Sequence, residues 1–215
     1  MTDTFAPEAP ALAPTRDRIK AIAVELYVLR GHDGFSFGQI AEIIGTTRAN
    51  IHHHFGNKQR LMAELIEGFA ADAERRIVHV WATGEATFAE RLTAQCEDLR
   101  RFYDRFNKTP GDRNVWSPLS RLRLDLPVLG DMASNALERV NRAYDVNLRQ
   151  ALTSAIKAGE LSRDMPVDDI ARIIRVTILS CTPMTQDTGS FVELERLFDA
   201  LARTIAAAWD RRPNV

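Results

Sequence analysis

The stretch "SFGQIAEIIGTTRANIHHHFGNKQRL", Ser36 to Leu61, constrains this 215-residue chain more than any other. Gly45 and Gly56 cut it into two runs of about nine residues each. The first carries Ile40, Ala41 and Ile44 at helical spacing, and Ser36 with Gln39 three residues later forms a capping box at its start. The second reads as a helix from about Thr47 to His54. Helices this short do not hold together alone in water, so the pair must pack on each other and on further elements. Both neighbours supply a face. From Thr15, residues Ile19, Ile22, Ala23, Leu26 and Tyr27 share one side of a helix that Gly31 ends. After Gly56, Asn57 is placed to cap a helix with the stripe Leu61, Leu65 and Phe69, flanked by Met62 and Ile66.

Two short helices joined by a tight glycine turn and backed by a third form a helix-turn-helix, whose second member enters the DNA major groove. Charge agrees with this. The whole chain carries −1, yet residues 15–60 hold seven Lys and Arg against four Asp and Glu, before four histidines are counted. A local cationic surplus on a near-neutral protein points to a polyanionic partner for that segment.

The histidine run admits other chemistries. His52, His53 and His54 are successive helical residues, about 100° apart around the axis, so they cannot converge on one metal ion. Catalysis needs an orienting carboxylate or a nucleophile, and no sequence neighbour offers one. A solvated surface without function is the bland alternative. Against it stands the density of donors on one short helix: Thr47, Arg48, Asn50, His52 and His53, with Ala49 small enough for close approach. No metal, cofactor or catalytic residue is assigned.

The stretch "FSFGQIAEIIGTTRANIHHHFGNKQRLMAEL" resembles the DNA-binding domain of the tetracycline-repressor (TetR) family of transcriptional regulators, over residues 15–70. The resemblance implies that Thr47, Arg48, Ala49 and Asn50 read bases and grip phosphate. It places His52 and His53 against the backbone, Phe55 in the core, and Lys58 on a phosphate. His52 stands where the family usually has tyrosine, and Gly56-Asn57 replace its usual Pro-Ser.

Beyond residue 84 every segment again reads as helix, giving an all-α chain. The expected domains are a tail over 1–14, the helix-turn-helix domain over 15–60, and a helical effector-binding and dimerisation domain over 61–212. Thr87 and Glu90 form a second capping box, and the stretch Ser190–Glu193 is expected to cap the last helix. Helices are expected to about Asn107, over Ser117–Leu124, from Pro127 to Ala158, from Pro166 to about Cys181, and after Ser190. Phe102, Tyr103, Phe106, Trp116 and Met132 are candidates to line an apolar pocket, which the resemblance implies would hold a small-molecule effector; plain core is the competing reading. Arg121 and Arg123 are candidates to meet an acidic effector; arginines that simply face water are the competing reading. Ile174 and Ile178, beside Ile170 and Ile173, and Leu194, Leu197, Phe198, Leu201 and Ile205 are candidates for a homodimer interface, which the resemblance implies; core within one chain is the competing reading for about half of them.

Cys96 and Cys181 make no disulfide framework, and the N-terminus lacks the pattern of a secretion signal, so a cytoplasmic location is expected. The reading is a homodimeric, ligand-responsive repressor on a palindromic operator, not an enzyme. The alternative is an all-helical enzyme or small-molecule-binding protein with an incidental basic patch.

Overall fold

The computed structural model describes residues 15–209, so the expected tail over 1–14 lies outside the described residues. Ten helices and no strand are found among the described residues. They are α1 (Thr15–Arg30), α2 (Phe37–Ile44), α3 (Arg48–Phe55), α4 (Lys58–Trp81), α5 (Phe88–Phe106), α6 (Pro118–Leu124), α7 (Leu126–Ala158), α8 (Val167–Leu179), α9 (Cys181–Thr188) and α10 (Val192–Trp209). No described helix is long and apolar enough to cross a membrane.

The chain divides into two compact units. Of the described residues, the first takes in 15–70 together with Ser117–Leu137; the second takes in Ala71–Trp116 and 138–209.

In the first unit, α1, α2 and α3 pack around Ile19, Ile22, Leu26, Ile40 and Ile51, each at most 1% exposed. Leu61 and Met62 of α4 are fully buried in the same unit. The α2–α3 turn depends on Gly45, which closes α2 in the left-handed conformation (φ 76°, ψ 41°) and costs other residues roughly 1 kcal/mol. Its N–H and that of Thr46 return to the carbonyls of Glu42 and Ala41. The Ser36–Gln39 capping box forms in full at the other end of α2. Residues 117–137 join this unit. Leu122 of α6 is fully buried, and Arg121 donates to the carbonyls of Val28 and Leu29 at 2.9 and 3.0 Å. Arg121 thus caps the end of α1 and is not free for the acidic effector considered above. Asp125, one turn on, accepts from the His32 N–H at 2.9 Å.

The second unit is built from longer helices. Two tryptophans are buried with their indole N–H groups satisfied: Trp81 donates to Gln95 at 2.9 Å, and Trp116 to Thr185 at 2.7 Å. Asp98 is also buried, and is held by Arg76 at 2.6 Å and Arg101 at 2.7 Å. A buried carboxylate persists only with such partners.

Three local expectations differ from the structure. α8 stops at Leu179, and a separate α9 follows, which has no apolar stripe to announce it. α7 is broken at Gly130, whose backbone (φ 54°, ψ −135°) is outside the helical region. Ser190 accepts from the Val192 N–H at 3.2 Å, not from Glu193, so no capping box forms at α10.

Candidate nucleic-acid interface

The geometry of α3 follows from its two ends and two inward residues. Thr47 is extended (φ −101°, ψ 151°) and its hydroxyl accepts from the Asn50 N–H at 3.2 Å, so it is the N-cap. Gly56 closes the other end. Ile51 and Phe55, four residues apart, are 0% and 3% exposed and pin the helix to the unit's core. The opposite rows therefore face solvent: Arg48 with His52, and Ala49 with His53, are all exposed. Asn50 lies to one side, half-buried, with its amide donating to the Thr46 hydroxyl at 2.9 Å.

Of the expected set, Thr47, Arg48, Ala49, His52 and His53 thus come together on one exposed surface, with Asn50 at its margin. Arg48 makes no ion pair among the described residues, so its guanidinium is free for a ligand. His52 Nδ1 lies 2.8 Å from the Gly56 carbonyl. A carbonyl only accepts, so Nδ1 carries the proton and Nε2 is the atom left for an outside partner. The His52 ring also stands edge-on to Phe37, with centroids 4.9 Å apart. His54 is half-buried.

Lys58 is where the placement departs from expectation. Its ammonium turns inward, donating to the carbonyls of His32 and, at 2.8 Å, Phe35, and lies 4.5 Å from the Phe35 ring centroid. Burial pushes it below the usual lysine range, while Asp33 and Asp125 pull the other way. This tie spans the α1–α2 turn, whereas the resemblance implies a phosphate contact for the same lysine.

Arg16 was visible in the sequence only as charge. It donates to the His54 carbonyl at 2.8 Å, lies 4.3 Å from the Phe55 ring centroid, and forms an ion pair with Glu64. One guanidinium thereby joins the first helix, the end of α3 and α4. Nothing local in the sequence marks it, because its partners are 38 and 48 residues away.

The other candidate sets are placed differently. Tyr103 and Trp116 are buried and meet Phe191, which the sequence reading left out, with ring centroids 5.1–6.5 Å apart. These three rings pack against one another. Phe102 lies under Arg76, 4.3 Å from its guanidinium, Phe106 is buried, and Met132 belongs to the first unit. Ile174, Ile178, Leu194, Phe198 and Ile205 are at most 5% exposed in the single chain. The single chain thus already covers them, while Leu197 and Leu201 are half-buried. The apolar side chains of α8 that do face outward are Ile173 and Val176, 50% and 52% exposed.

A helix-turn-helix unit with an outward polar α3, in a chain whose second unit is also helical, defines a class: DNA-binding regulators. Residues 19–65 match the family model for bacterial regulatory proteins of the tetR family. The domain belongs to that family. Similar solved structures extend the likeness over the whole chain. E. coli NemR in its reduced form is 19% identical, with a TM-score of 0.73, covering 94% of this chain and 99% of that one. A TetR transcriptional regulator from Chloroflexus aurantiacus J-10-FL is 19% identical, with a TM-score of 0.75 and coverage of 92% and 97%. One from Agrobacterium tumefaciens is 21% identical, with a TM-score of 0.74 and coverage of 88% and 96%. At such identities the structures speak for the fold. No curated protein matches the sequence.

Proposed function

We propose that the chain is a transcriptional repressor that binds a palindromic operator as a homodimer and is released by a small-molecule effector. The observation that carries the reading is the surface of α3, where Arg48, Ala49, His52 and His53 are exposed together on a helix held rigidly from behind by Ile51, Phe55 and Arg16. Arg48 is the residue suited to a guanine edge, and Ala49 permits close approach. One such helix touches few bases, so two-fold pairing with half-sites about 34–36 Å apart supplies the rest of the specificity. Ile173 and Val176, with the half-buried Leu197 and Leu201, supply apolar area for that pairing. An effector acts by favouring a spacing of the two α3 helices that no longer fits the operator.

The test is selection of duplexes from a random pool, followed by anisotropy titration of the winner across a salt series. Enrichment of an inverted repeat is expected. Affinity should fall by about 10³–10⁵ between roughly 50 and 200 mM salt if some 6–10 phosphates are gripped. Failure to enrich any inverted repeat, or binding indifferent to salt, refutes the proposal.

A further inference from the structure

In the second unit α5 and α10 lie side by side. An open groove of about 310 Å³ runs along them. Its lining combines apolar and charged parts. Leu92 and Phe198, both buried, and Ala202 give it an apolar floor. Glu97, Arg100, Glu195 and Asp199 supply the charge, and the half-buried Cys96 lies among them.

The charges do not cancel. Arg100 is committed to Glu195, lies 4.0 Å from Asp104 and sits 4.6 Å from the Phe191 ring centroid. Glu97 and Asp199 are exposed and make no ion pair among the described residues. The Cys96 thiol senses the resulting field. Burial, then Glu195, push it up to about 11, with Asp199 and Glu97 adding to the rise and Arg100 opposing it. Two uncompensated carboxylates over an apolar floor complement a ligand with the opposite charge and an apolar body.

We propose that this groove binds a small organic cation, an amine or quaternary ammonium on an apolar body of about ten non-hydrogen atoms. The apolar body lies on Leu92, Phe198 and Ala202, and the cation lies between Glu97 and Asp199. The site is separate from the α3 surface and does not rest on the DNA-binding reading.

Benzyltrimethylammonium is the probe, titrated into the full-length protein by calorimetry, with 3-phenylpropionate as the anion of similar body. Saturable binding of the cation alone is expected, weakening as salt rises. Glu97→Gln and Asp199→Asn should each weaken it by up to about fivefold, and the double variant by more, as for exposed ion pairs. Both side chains are exposed, so the variants should melt like the parent. Iodoacetamide labelling of Cys96 gives a second readout, which the bound cation should slow. Equal binding of cation and anion, absence of binding, or an unchanged double variant would each overturn the proposal. So would Cys96 labelling that depends on protein dilution and not on the cation, because a second copy would then occupy the groove.

Discussion

α3 and α8 bury the same kind of row and expose opposite kinds. α3 pins itself with Ile51 and Phe55, and α8 with Ile170, Ile174 and Ile178, all at four-residue spacing. Outside, α3 shows Arg48, Ala49, His52 and His53, whereas α8 shows Ile173 and Val176. The inward row says how each helix is held in its own unit. The outward row says what each could meet: exposed polar tips suit a polar, charged ligand, and half-exposed branched side chains suit another apolar surface.

The largest expected effect comes from removing what holds α3. Phe55→Ala empties a nearly fully buried ring site and takes away the face under Arg16, at a cost of about 3–5 kcal/mol. Thermal melts should show the loss, and operator binding should vanish with α3 unseated. A parent-like melting temperature would mean that α3 is not held by its inward row.

Next comes the outward row of α8. Ile173→Asp combined with Val176→Asp should raise the dimer dissociation constant by at least about a hundredfold, roughly 3 kcal/mol for two apolar side chains replaced by charges. Sedimentation velocity reads this directly, and circular dichroism should stay unchanged because both sites are half-exposed. Ile174→Asp is the contrast: fully buried, it should unfold its unit and not merely separate subunits. If both variants behave alike, the division between rows on α8 fails.

Local signals were the legible ones. The capping boxes at Ser36 and Thr87 involve residues three apart and form as the sequence proposes. The exposed set on α3 follows from two inward residues and helical geometry. Long cationic side chains were illegible, because Arg16, Lys58 and Arg121 find partners 23 to 93 residues away and their stems reach in any direction. The candidate interface residues were ambiguous for a related reason. Periodicity shows that Ile174 and Leu194 face something, and only the packed chain shows that this something is the chain itself. α9 had no stripe to read at all.

Arg48 and Lys58 extend the contrast to two cations of the same domain. Arg48→Ala should cost about 1–3 kcal/mol in operator affinity, relax preference at one symmetric base position, and leave the melting temperature alone. Lys58→Ala leaves the carbonyls of His32 and Phe35 without their donor, so about 1–3 kcal/mol should come off stability first. Parallel melts and anisotropy titrations separate the two. A Lys58→Ala protein with unchanged melting and uniformly weak DNA binding would restore the outward role.

The smallest effect lies at the back of α3, where Glu64 receives Lys20 at 2.9 Å and Arg16. Burial alone would raise this carboxyl, but the hydrogen bond and charge of Lys20, with those of Arg16, together hold it below the usual 4.5. A carboxyl lowered in the folded state contributes stability above its unfolded value, and that contribution disappears as pH falls through the folded one. The site is one-third exposed, so solvent screening limits it to roughly 0.2–1 kcal/mol. Urea midpoints of the parent and Glu64→Gln should therefore differ slightly at pH values above about 4.5 and converge toward about pH 3. A difference that persisted or grew in acid would place the stabilisation in something other than this carboxylate, and would leave the hydrogen bond from Arg16 to His54 as the brace that matters for α3.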